Sequence, residues 1–182
     1  MAPRTVLTKT ERERLAALSS VIRALAACLR RRAPTTAASA ESWFRYLAAV
    51  KKAQGNMHMQ LSFLACLMAK AYLGSHHSVD GLDVAAKPQG APGLDFDFRT
   101  RAGRRLIAEL KTTVPYEADD FGAAQWSALE RDFAKLRRQR AYAKYLFVTD
   151  PQSFMYLRQS RGWIKVPRLR IVLLPGGKSF VV

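Results

Sequence analysis

The stretch LDFDFRTRAGRRLIAELKTT, residues 94–113, decides how this chain is read. Asp95 and Asp97 alternate with Leu94, Phe96 and Phe98, Gly103 marks a turn, and an apolar run carries Glu109 and Lys111 two residues apart. Strand side chains alternate between faces, so Asp95 and Asp97 share one face, as do Glu109 and Lys111. Paired as a hairpin, the two strands bring two or three carboxylates and one ammonium into a small patch. Hard oxygen donors at that density suit Mg²⁺, and a neighbouring lysine can contact a phosphate or position a water. The register is open: a turn over 100–104 sets Asp95 opposite Glu109, whereas a loop over 102–104 sets Asp97 there. An exposed edge strand with alternating charges would also carry Glu and Lys at this spacing. The acidic strand beside it favours a site.

Composition points to a polyanionic partner. The 182 residues hold 30 Lys+Arg against 14 Asp+Glu, a net charge of +16. Nucleic acid is the expected ligand and an anionic membrane surface the rival. The last acid is Asp150, so residues 151–182 carry only basic charge. No run reaches the roughly 18 apolar residues of a spanning helix, and the N-terminus lacks an apolar segment before its charges. A bacterial cytoplasmic protein without membrane attachment is expected. Cys28 and Cys66 lie in apolar helical contexts, as buried thiols rather than a disulfide. His76 and His77 read as a helix end.

The periodicity predicts a first helix from a capping box at Thr10–Glu13 to about Arg32, ended by Pro34. A second helix carries Trp43, Phe44, Leu47 and Val50 and breaks at Gly55-Asn56. Residues 57–73 are apolar nearly all round and predict a buried helix. A weak strand is expected at Leu82–Ala86, then a loop over 87–93 that could approach DNA. Strands at 94–99 and 105–113 follow, then polar residues 116–120. A helix from about Phe121 to Ala143 has Trp126, Leu129, Phe133 and Leu136 as its apolar stripe. Further strands are expected at 145–149, 169–174 and 180–182.

Asp95, Glu109 and Lys111, followed by Thr112 and Thr113, resemble the PD-(D/E)xK nuclease motif, whose superfamily includes many type II restriction endonucleases. Leu94 stands where that motif usually has proline, and Pro92 lies two residues earlier. The expected order helix, strand, strand, strand, helix, strand over about residues 57–150 is similar to the superfamily core. The resemblance implies an α/β fold: a restriction-endonuclease-like mixed β-sheet flanked by helices, with an N-terminal helical portion. It implies one nuclease domain over 1–182, with dimerising helices in 1–56, the catalytic core in 57–150 and basic strands in 151–182. It further implies a Mg²⁺-dependent, site-specific endonuclease for double-stranded DNA, with Asp95, Glu109 and Lys111 catalytic. Asp95 and Glu109 would hold the metal, with Asp97 the alternative to Asp95; the motif's acid follows a Pro/Gly turn, which favours Asp95. A palindromic target implies a homodimer. A junction resolvase or repair nuclease of the same fold is the alternative, and a non-catalytic basic DNA-binding protein a third reading.

The candidate DNA contacts are Arg101, Arg104 and Arg105 at the hairpin, Arg137 and Arg138 on the long helix, and Arg161 and Lys165 in the tail. Most such side chains contact phosphates rather than base edges. Trp163 is expected to pack in the core.

Overall fold

Gly103, at φ 73°, turns the chain between strands β1 (Phe96–Arg99) and β2 (Arg105–Lys111). This is seen in a computed structural model, which describes residues 6–87, 91–115 and 121–182. The turn is closed by Gly103 N–H donating to Thr100 O and by Thr100 N–H donating to Arg104 O. β1 and β2 are antiparallel, with Phe96 opposite Ala108 and Asp97 opposite Ile107. Each β1 residue and its partner sum to the same register, so Asp95, one step before the strand, faces Glu109.

β2 runs parallel to β3 (Ala143–Val148), β3 parallel to β4 (Leu169–Leu173), and β4 antiparallel to β5 (Ser179–Val181). The result is a five-stranded mixed sheet in the order β1-β2-β3-β4-β5. Parallel neighbours need crossovers. Helix α4 (Gly122–Arg138) links β2 to β3, and α5 (Pro151–Gln159) with the 3₁₀ turn Arg161–Trp163 links β3 to β4. The protein is therefore α/β.

Alternation divides the strands' side chains between two cores. On one face Ile107, Leu146, Val148, Leu169 and Ile171 pack with Leu129, Phe133 and Leu136 of α4 and Phe154 and Leu157 of α5. On the other, Leu106, Ala108, Tyr145, Phe147 and Val172 pack with Ala69 and Leu73 of α3 (Met57–His76). β1 is an edge strand whose Phe96 and Phe98 join the α3 side. Asp95 and Asp97 point to the α4 side, where both are exposed.

Residues 7–61 form one compact unit and residues 62–182, which hold the whole sheet, another. In the first, α1 (Lys9–Leu29) packs with α2 (Ala40–Gln54). On α2, Phe44 and Leu47 stand 74% and 56% exposed. Among the described residues no helix is long and apolar enough to cross a membrane.

Several expectations need correction. The capping box is Thr8–Glu11, not Thr10–Glu13: the Thr8 hydroxyl accepts the Glu11 N–H, and the Glu11 carboxylate accepts the Thr8 N–H. Leu82–Ala86 is not a strand, because the Asp83 carboxylate accepts the N–H groups of Ala85 and Ala86 (2.8 and 3.2 Å) and curls the backbone into an Asx turn. The core order over 57–150 is accordingly helix, strand, strand, helix, strand. α4 stops at Arg138, where Gln139 is extended, and Tyr142 N–H already donates to Arg105 O. The tail is not strands alone. It opens with α5, capped by Asp150 accepting the Ser153 N–H and begun by Pro151 at its first turn. Trp163 does not pack in the core: Ile164 and Val166 turn inward there, and the indole is 81% exposed. Cys28 is buried and Cys66 half-buried, and the two are not joined in a disulfide. Residues 88–90 of the expected loop and the polar stretch 116–120 lie outside the described residues.

Candidate active site

The site grows from the open end of the β1–β2 pair. Asp95 is held there because its Oδ2 accepts the Leu110 N–H at 2.8 Å. Glu109 lies opposite and is 3% exposed. The buried carboxyl has its pKa raised to about 8. Burial is the main cause; the adjoining Asp95 carboxyl adds a hydrogen bond and like charge, Asp132 adds more negative charge, and Lys135 pulls the other way.

Helix α4 supplies the other half. Lys135 Nζ donates to Glu109 Oε1 at 3.1 Å and to Asp132 Oδ1 at 2.9 Å. Lys111 Nζ lies 2.5 Å from Asp132 Oδ2. The chain Asp95–Glu109–Lys135–Asp132–Lys111 alternates acid and base apart from its first pair. Asp132 is thus a buried carboxylate with two ammonium partners, the condition under which such a charge is tolerated, while Glu109, with its raised pKa, holds its proton at neutral pH. An apolar cavity of ≈ 180 Å³ adjoins Lys111, lined also by Phe121, Leu129 and Val148.

Asp97 is engaged elsewhere. Arg105 donates to it in a two-bond fork (2.8 and 2.7 Å), and that hydrogen bonding is the main reason its pKa is lowered. The structure therefore brings Asp95, Glu109 and Lys111 together with Asp132 and Lys135, and sets Asp97 apart with Arg105.

Sequence alone does not single out Asp132, and it places Lys135 only on the basic face of the long helix, from Arg131 to Arg140, rather than beside the carboxylates. A signal was present: Asp132 falls three residues after Leu129 and four before Leu136, so an acid interrupts the buried stripe of α4. Arg101, Arg104 and Arg105 lie at the turn end of the hairpin; Arg105 is four strand steps, about 13 Å, from Glu109. Arg104 donates to the Tyr142 hydroxyl and its guanidinium lies over that ring at 4.5 Å. Arg137 and Arg138 are exposed on α4, and Arg161 and Lys165 flank Trp163.

Two adjacent carboxyls, one of them buried, fit a hard divalent cation as donors. Among the described residues no three His, Cys, Asp or Glu side chains form a ready-made metal cage. Mg²⁺ does not require one: it is commonly held by one or two carboxylates with water and substrate phosphate completing its shell. No family model, curated protein or solved structure matches this chain.

Proposed function

We propose that the protein is a Mg²⁺-dependent endonuclease acting on DNA, with the fold of a restriction-endonuclease-like nuclease. The observation that carries this reading is the meeting of Asp95 and Glu109 across the strand pair, with Lys111 on the same face of β2 two residues beyond. The charge of +16 supplies the affinity for a polyanion.

Asp95 and Glu109 would hold the cation. When bound, Mg²⁺ supplies charge neutralisation on the phosphate and a water of lowered pKa. The remaining work falls to the chain. Lys111 presents an ammonium to the scissile phosphate, where charge builds up as the phosphorus becomes five-coordinate. Asp132 holds Lys111 in place through its Oδ2 and so acts as a positioning residue. Lys135 donates to both Glu109 and Asp132 and favours the ionised form of Glu109 that would hold the cation.

Sequence-specific cutting of duplex DNA by a homodimer, as in type II restriction, is the form that the motif favours. The exposed Phe44 and Leu47 of α2 support self-association. A structure-selective nuclease, such as a junction resolvase or repair enzyme, is favoured by a different observation, the solvent-exposed Trp163. Incubating supercoiled and linear DNA with Mg²⁺ or EDTA tests the core proposal: cleavage is expected with Mg²⁺ alone, and equal cleavage in EDTA overturns it. Discrete fragments indicate the restriction form, and cutting confined to branched or gapped DNA the other.

A further inference from the structure

The 3₁₀ turn Arg161–Trp163 lifts one indole out of the protein, 81% exposed. That ring forms one side of a groove of ≈ 430 Å³ between the turn and α4. Trp126 and Ala134 contribute apolar surface, Arg137 and Lys165 add positive charge, and Glu130 is the one acid among the described residues that line it. Lys165 Nζ donates to Gly162 O at 2.8 Å, which fixes an ammonium beside the turn.

Helical geometry places this groove relative to the carboxylates. At 3.6 residues per turn, Asp132 and Lys135 occupy one flank of α4, and Glu130, Ala134 and Arg137 the opposite flank. Arg131 and Arg138, both exposed, lie on the outward face between them. The two flanks stand about one helix diameter apart, about 10 Å, and a strand passing from the carboxylate site over α4 meets Arg131 and Arg138 on the way.

We propose that the groove takes an unpaired nucleotide, its base stacked on Trp163 and its phosphates on Arg137 and Lys165. The substrate is then DNA with a single-stranded segment beside the position that is cut. This assignment rests on the nuclease reading above. A base within a duplex has both π-faces covered by its neighbours, whereas an unpaired base offers one to an aromatic ring. Such stacking tolerates any sequence and combines with basic side chains that track the backbone. An exposed indole framed by two cations meets both requirements.

Fluorescence anisotropy with dye-labelled oligonucleotides in EDTA tests this independently of catalysis. Three DNA probes are compared: a blunt duplex, the same duplex with a single-stranded flank, and a single strand. The wild type should prefer the flanked duplex over the blunt one. Trp163→Ala should weaken flanked-duplex binding about tenfold, within the range for loss of one base stack, and leave the blunt duplex unchanged. Trp163→Phe should restore most of the difference. Equal affinity for both duplexes, or equal loss on both in Trp163→Ala, overturns the proposal. Tighter binding of a single-stranded RNA than of its DNA counterpart overturns the DNA assignment. A parallel Mg²⁺ cleavage assay separates the two readings: Trp163-dependent discrimination without cleavage rejects the nuclease, and cleavage without discrimination rejects the groove.

Discussion

Glu109 and Asp132 come from different elements yet share one ammonium: Lys135 Nζ lies 3.1 Å from Glu109 Oε1 and 2.9 Å from Asp132 Oδ1. Lys135 thereby ties strand β2 to helix α4 at the point where Asp95 approaches Glu109.

Asp95→Asn and Asp97→Asn should separate cleanly. Asp95→Asn should lower Mg²⁺-dependent cleavage more than about 100-fold, beyond the usual loss for a residue that only supports a metal ligand. Asp97→Asn should cut near the wild-type rate and cost about 0–1 kcal/mol of stability, because its Arg105 pair is partly solvated. Comparable cleavage by both variants would remove Asp95 from the site.

Thermal stability should fall with rising pH because of Glu109. The folded pKa of about 8 exceeds the ordinary 4.5. The folded state therefore binds this proton more tightly than the unfolded chain does. The contribution is complete below the unfolded value and is lost as pH climbs through 8. Melting curves from pH about 6 to about 9 should show the wild type losing stability relative to Glu109→Gln, which has no such proton. Titrating groups that do not touch Glu109 cancel in this comparison. Parallel curves would contradict the buried-carboxyl account.

Asp132→Asn should act through Lys111. Its loss removes the anion 2.5 Å from that ammonium. Cleavage should drop about 10–100-fold, the usual scale for a supporting residue, while DNA affinity in EDTA stays within error. Unchanged cleavage would show that Lys111 needs no anchor.

DNA affinity should fall steeply with salt, since each phosphate contact releases counterions. Arg131→Ala and Arg138→Ala should each lower the slope of log K against log[salt] by about 1, without altering sequence preference. A slope unchanged in the double variant would take the outward face of α4 off the DNA path.

The hairpin was legible because turn length and alternation together limit register to two choices, and the 100–104 turn selects Asp95 over Asp97. Asp132 was visible only as an acid in an apolar stripe; which strand residue it meets depends on how α4 crosses the sheet, and local sequence does not encode that. Leu82–Ala86 carries strand-forming residues, but the Asp83 side chain competes for its backbone donors. An aromatic residue next to Ile164 and a basic turn has the composition of a core position, which is why sequence places Trp163 inside. The 3₁₀ geometry, absent from any periodic pattern, turns it outward.

A single rigid rod, α4, carries Asp132 and Lys135 on one flank and Arg137 on the other. If one DNA strand engages both flanks, the spacing between the bond that is cut and the stacked base is set by the girth of that rod rather than by a loop. The protein would then act as a molecular ruler, leaving ends of uniform length whatever the sequence between.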